Sequence, residues 1–360
     1  MGGEASLRVF FGTYTTAKSK GIYEAAINPA TGELGPPTLA AEVKNPTFLA
    51  LNPAQTRLYA VSEVEQFEGK SAGGVVAFDI ESHGLREINQ QASGGKGPCH
   101  LAIDKTDSCV LVANYGSGSV AVLGLDASGA LQGPALAVQH RGSSINPQRQ
   151  SGPHAHFITT DTQNRFVLAC DLGLDKLFVY RFDPKNALLT PDIPPAFPVK
   201  PGSGPRHLVF HPNGKTVYLV NEMASRLDVL AYNETSGTLQ HVQSLGMLPN
   251  DFKGENLGAE VQVHPSGKFV FASNRGHNSI VVYKVISERG ELELVKRESC
   301  EGRTPRHFVL TPDGRWMLVE NQDSDNVAVF AINAGTGELK STGQKYELGA
   351  PVCAVLMKPN

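Results

Sequence analysis

The chain has 360 residues, with 37 Gly and 23 Pro, and its 32 Lys plus Arg nearly balance 35 Asp plus Glu for a net charge of −3. With no long run of either sign, this argues against a nucleic-acid or anionic-membrane surface, and no apolar stretch reaches the roughly 20 residues a membrane helix requires. Five cysteines, Cys99, Cys109, Cys170, Cys300 and Cys353, form no CxxC pair, which argues against a disulfide framework or a zinc site.

The start, residues 1–6, has no basic segment followed by an apolar one. A cytoplasmic protein is expected, and secretion would require a leader already removed. Frequent Gly and Pro without low complexity predict many short strands rather than long helices.

In chain order, the first predicted strands are residues 9–13, 21–27 and 38–43. A repeat then begins. Its opening position recurs at Pro46, Pro98, Pro153, Pro205, Ala259, Pro305 and Pro351, in steps of 46 to 55 residues. The unit is clearest at Gly204-Pro205-Arg206-His207-Leu208-Val209-Phe210, where a short apolar strand leads into the turn His211-Pro212-Asn213-Gly214. Similar turns follow at Pro265-Ser266-Gly267 and Pro312-Asp313-Gly314; Pro suits the second turn position and Gly the fourth. A second and third strand come next. Before the fourth strand a further turn recurs, running from Asn28 to Gly32, Asp126 to Gly129, Asn233 to Gly237 and Asn333 to Gly337.

Four antiparallel strands per unit, seven times over, predict an all-β fold: a seven-bladed β-propeller forming a single domain over residues 1–360. Beyond Pro351 there is room for one strand only. The three strands it lacks are those at the N-terminus, so the last blade is closed by both termini, pairing edges that would otherwise stay open.

In a propeller the first strand of each blade lines the central channel. The residue after each opening position is Thr47, Cys99, His154, Arg206, Glu260, Arg306 and Val352. The neighbouring end of each second strand carries Glu63, Tyr115, Leu172, Glu222, Arg275, Gln322 and Tyr14. Such positions would be uniform if they were purely architectural. Instead charge gathers from His154 to Arg306, which points to a small-molecule pocket at one channel mouth. Strand alternation turns His100, His207 and His307 away from the channel into the packing between blades, and puts His156 on the side of His154. Asn114, Asp171, Asn221, Asn274 and Asn321 read as turn-bonding residues, with Asp171 also a site candidate; His211 and His264 read as structural. No metal-ligand spacing, phosphate-cradling loop or GxSxG elbow occurs, so neither metal nor cofactor is expected.

Gly152-Pro153-His154-Ala155-His156, Gly204-Pro205-Arg206-His207, Asn221-Glu222, Ser273-Asn274-Arg275, Thr304-Pro305-Arg306-His307 and Gly12-Thr13-Tyr14-Thr15 together resemble the lactonase family of seven-bladed propellers, across essentially the whole chain. The resemblance implies opening or closing of a lactone ring. It places the catalytic residues at His154, Arg206, Glu222 and Arg275, with substrate contacts expected from Arg306, Glu260, Gln322, His156, Asp171 and Tyr14. The expected reaction is hydrolysis of 6-phosphogluconolactone by a monomer whose partner is this small molecule alone. The arginines would hold the developing oxyanion and the substrate's anionic group, with Glu222 or His154 as general base. Two nearby arginines would make Glu222 a poor base, which favours the imidazole. A lactonizing cycloisomerase, or a lactonase acting on another carboxylic acid lactone, would use the same residues. A protein-binding scaffold is a third reading, disfavoured by a single Trp in the chain and by the uneven channel mouth.

Overall fold

A computed structural model describes residues 6–16 and 18–357; residues 1–5, which carried most of the reading about a leader, lie outside the described residues. Seven four-stranded antiparallel sheets are present, and the described residues contain no α-helix. From the axis outward, blade 4 runs Pro205–Phe210, Thr216–Asn221, Arg226–Tyr232 and Leu239–Gly246. The innermost strands of blades 1 to 7 are Leu49–Leu51, Pro98–Ile103, Ala155–Thr160, Pro205–Phe210, Leu257–Val263, Pro305–Leu310 and Pro351–Leu356. Each touches the next, and the last touches the first, so the ring is closed. In blade 7 the strand Pro351–Leu356 pairs with Leu7–Thr13, which is followed outward by Gly21–Ile27 and Thr38–Glu42.

Burial follows radial position. The second strands, such as Cys109–Asn114 and Thr216–Asn221, are buried along their whole length and read as near-continuous apolar runs, as strands covered on both faces must. Outermost strands such as Leu131–Gln139 are mostly exposed. The apolar core divides into seven clusters, and each straddles one pair of adjacent blades: Phe166, Leu168 and Cys170 of blade 3 meet Leu208, Val217 and Leu219 of blade 4, for example. No blade has a core of its own, because a four-stranded sheet can bury its faces only against its neighbours.

The repeated turns make these interfaces tight. Gly237 sits at φ +71°, and a Cβ there would lie 2.7 Å from the Phe166 ring of the preceding blade. Gly337 meets Phe269 in the same way. At the same end of the sheets, the His211 and His264 Nε2 atoms lie 2.9 Å and 3.0 Å from the carbonyls of Gly267 and Gly314 in the next blade, which gives both histidines a structural role.

Alternation fails at the start of the innermost strands. Pro98 pairs with Asn114 and His100 with Ala113, so Cys99 is an extra residue; the same bulge falls at Arg206, Arg306 and His156. A bulge sets two residues against one and re-aims the side chains that follow. His100, His207 and His307 therefore do not enter the packing between blades, contrary to the alternation reading. They face the channel instead. His100 of blade 2 lies 5.3 Å, ring to ring, from His207 of blade 4, and Phe48 of blade 1 lies 6.0 Å from His307 of blade 6. Rings from non-adjacent blades can meet only across the axis. With Phe157, they fill the middle of the channel.

The same register corrects the repeat alignment in blade 3. Ala155, paired with Asp171, stands where blades 2, 4 and 6 have their opening proline, so His156 rather than His154 occupies the bulge equivalent to Cys99, Arg206 and Arg306.

Candidate active site

Above the aromatic layer a cavity of about 240 Å³ opens at one mouth of the channel, lined by side chains from all seven blades together with one loop. The ends of the second strands supply Glu63, Tyr115, Glu222, Arg275 and Tyr14. The bulges supply Cys99, His156 and Arg306, and Arg149 comes from the loop joining blades 2 and 3.

Glu222 is 3% exposed and is the centre of charge on one side. Its Oε1 accepts a hydrogen bond from Arg149 Nη2 at 2.6 Å, its Oε2 one from Arg275 Nη2 at 2.7 Å, and Arg206 Nε lies 3.2 Å from Oε2. Burial alone would raise its pKa, but the Arg275, Arg206 and Arg149 guanidiniums outweigh burial and hold the carboxyl well below the usual carboxylate range. Arg206 is buried beneath it, donating from Nη1 to the Ala259 carbonyl at 2.8 Å. Burial and the neighbouring Arg275 and Arg306 push its pKa down to about 9, which still leaves it charged at neutral pH.

The other side of the cavity is built around Glu63. Tyr14 Oη donates to its Oε1 at 3.0 Å, and Thr47 Oγ1 donates to its Oε2. Arg306 does not pair with this carboxylate; its Nη2 lies 3.3 Å from Tyr14 Oη and its guanidinium 5.5 Å from the Tyr14 ring centre. Burial pushes the Glu63 carboxyl up, against smaller opposing effects of Arg306 and the two hydroxyls. Burial also raises Tyr14 to about 12, so its hydroxyl stays a donor.

His156 is buried beside Tyr115, and burial with Arg206 holds its imidazole neutral. Its Nδ1 and Arg275 Nε are buried without a hydrogen-bond partner among the described residues. Two such nitrogens on the wall of one cavity are what a polar ligand would satisfy.

Of the residues expected from the sequence, the cavity therefore brings together Tyr14, His156, Glu222, Arg275 and Arg306, with Arg206 directly under Glu222. His154 is at the side: its ring stacks on Tyr115 at 4.5 Å and its Nδ1 lies 3.0 Å from the Tyr115 carbonyl. Glu260 lies deeper, 2.8 Å from His207 Nδ1, outside the cavity lining. Gln322 lines a shallow groove beyond Tyr14. Asp171 is fully buried, accepting from the His154 and Leu174 amides and lying 2.6 Å from His140 Nδ1, so it ties blade 3 to the end of blade 2. Glu63, Tyr115 and Cys99 stood at the repeat positions read from the sequence but were not singled out. Arg149 lies outside the repeat and gave no signal.

The charges decide what the cavity can hold. Arg149, Arg206, Arg275 and Arg306 face two carboxylates, so an anionic ligand balances the site. Among the described residues there is no cluster of His, Cys, Asp or Glu able to hold a metal ion.

Residues 8–356 match the family described as lactonase, 7-bladed beta-propeller. A 6-phosphogluconolactonase of Bacillus subtilis is 36% identical over 346 residues, covering 96% of each chain. Another from Formosa agariphila is 32% identical, over 94% of this chain and 96% of its own. Among solved structures, the periplasmic gluconolactonase of Pseudomonas aeruginosa superposes with a TM-score of 0.93 at 33% identity, covering 98% of this chain and 99% of its own. The repeat, the closed ring and the cationic mouth thus have one common setting: the chain belongs to the seven-bladed β-propeller lactonase family.

Proposed function

We propose that the chain hydrolyses a phosphorylated sugar lactone, 6-phosphogluconolactone to 6-phosphogluconate, in the cavity at the channel mouth. The observation that carries this reading is the excess of guanidinium groups over carboxylates there, because a neutral sugar lactone would leave that charge unbalanced. Relatives named 6-phosphogluconolactonase, aligned over nearly the whole chain, support the same substrate.

In this reading the partly exposed Arg149, at the rim, meets the substrate's phosphate, and Arg275 and Arg306 donate to the lactone carbonyl as it becomes an oxyanion. Glu222, held ionised by three guanidiniums, is their anchor and fixes their direction. His156 and Tyr115 form the wall against which the ring lies, and His154 buttresses Tyr115. A cytoplasmic site of action is supported by five cysteines that are all buried and unpaired.

The test is proton release at neutral pH from a panel of lactones, phosphorylated and not. Fastest opening of the phosphorylated lactone is expected, with kcat/KM for the unphosphorylated sugar lactone at least tenfold lower. Equal rates for both would remove the phosphate from the reading. Cyclisation of an unsaturated dicarboxylic acid in place of hydrolysis would replace it with the cycloisomerase.

A further inference from the structure

Hydrolysis requires a group that takes the proton from the attacking water. We infer that Glu63 is that group, set across the cavity from Glu222 and hydrogen-bonded by Tyr14 and Thr47; this rests on the lactone-hydrolysis reading.

Both carboxylates line the same cavity, yet only one has lone pairs to spare. Glu222 accepts from two guanidiniums and lies against a third, so a proton placed on it would have to break charge-assisted contacts. Glu63 accepts only from neutral hydroxyls, and it is half-buried rather than sealed. A carboxylate in such surroundings holds a proton more readily than Glu222 does. Of two carboxylates in one site, the one with the higher pKa is the stronger base in its ionised form, which suits Glu63 to proton abstraction better than Glu222. Its charged and titratable neighbours are Tyr14 of blade 7, Arg306 of blade 6, Cys99 of blade 2 and, further off, Arg206 of blade 4. Arg306 reaches the same hydroxyl that holds Glu63, which puts an oxyanion donor and the base on one side of the cavity.

The step balances without another reactant. Glu63 takes one proton from water as the water oxygen bonds to the lactone carbonyl carbon. The ring C–O bond then breaks, and the proton passes from Glu63 to the departing alkoxide, giving a free hydroxyl. The new carboxylic acid ionises and releases the proton that the assay detects.

Glu63→Gln, close to isosteric, is the direct test in the full chain. On the phosphorylated sugar lactone, kcat is expected to fall by about 10²–10⁴-fold, the range for loss of a general base, with KM little changed. The acid limb of the wild-type kcat profile, where the rate falls as pH drops and Glu63 takes up a proton, should disappear with it. Glu63→Ala should regain rate in proportion to added formate, a rescue that a purely structural role would not show. Tyr14→Phe removes a donor that favours the carboxylate and should move the acid limb to higher pH, which tests the assignment even if the Glu63 variants do not fold. A folded Glu63→Gln with wild-type kcat and an intact acid limb overturns the assignment, as does an unmoved limb in Tyr14→Phe. Failure of the wild-type protein to open any lactone overturns the hydrolysis reading itself, and the assignment with it.

Discussion

Glu63 and Glu222 occupy one repeat position, the residue that follows the second strand, in blades 1 and 4, and they have opposite surroundings. Glu222 is wrapped by Arg149, Arg206 and Arg275; Glu63 meets two hydroxyls, with its nearest guanidinium one residue removed. The backbone delivers both carboxylates to the cavity in the same way, so the difference comes from what the other blades contribute at equivalent positions. A repeat protein makes a site by breaking its own symmetry side chain by side chain while the ladder of hydrogen bonds stays unchanged.

The contrast is broken most severely by Glu222→Ala. Removing one partner from a buried ionic network leaves uncompensated charge and costs about 3–5 kcal/mol; here three guanidiniums lose their common partner. Urea unfolding should show a loss of that size, and turnover should fall below detection. Next in effect are Arg275→Met and Arg306→Met, which probe the two sides separately. A hydrogen bond to a charged group is worth about 1.5–3 kcal/mol, so each should lower kcat/KM on the phosphorylated lactone by about 10–100-fold. Arg275→Met should also destabilise the fold through Glu222, whereas Arg306→Met should do so less, and equal losses in both would erase the distinction.

Titration of stability sharpens the comparison further. The folded pKa of Glu222 lies below its unfolded value, so its contribution is complete above about pH 4.5 and is lost as pH falls through the folded value. Glu63 shifts the other way, and its burial as an anion lowers stability once pH rises past its folded pKa. The pH–stability curve of Glu222→Gln should therefore lose part of its acid limb. The smallest effect is that of Glu63→Gln on stability at pH 7, where the melting temperature should be unchanged or slightly higher even as activity collapses.

The sequence made the ring legible because its turns are chemically demanding. Gly237 and Gly337 need positive φ and have no room for a Cβ, so the period survives wherever the fold does. It made half of the cavity legible for the same reason: Glu222, Arg275 and Tyr14 all stand at the end of the second strand of the repeating unit that those turns mark out. What it obscured has two physical causes. The bulge at Cys99, His156, Arg206 and Arg306 upsets the two-residue alternation, which is why Pro153 passed for the blade opening and why the His100, His207 and His307 rings were turned the wrong way. Arg149 comes from a connection between blades, where no period applies. Glu63 was visible but lay outside the run of charge from His154 to Arg306; its partners Tyr14 and Thr47 are uncharged, and only the folded ring brings Arg306 to them.

That last contact spans 292 positions, from Arg306 to Tyr14, and exists only because Pro351–Leu356 pairs with Leu7–Thr13. During synthesis the Glu222 half of the cavity can assemble as blades 3 to 5 emerge, while the Tyr14 and Arg306 half must wait until the final strand has left the ribosome and found the first. An interrupted chain would thus bind charge without completing the site, so catalytic turnover is itself a readout of a ring that has shut.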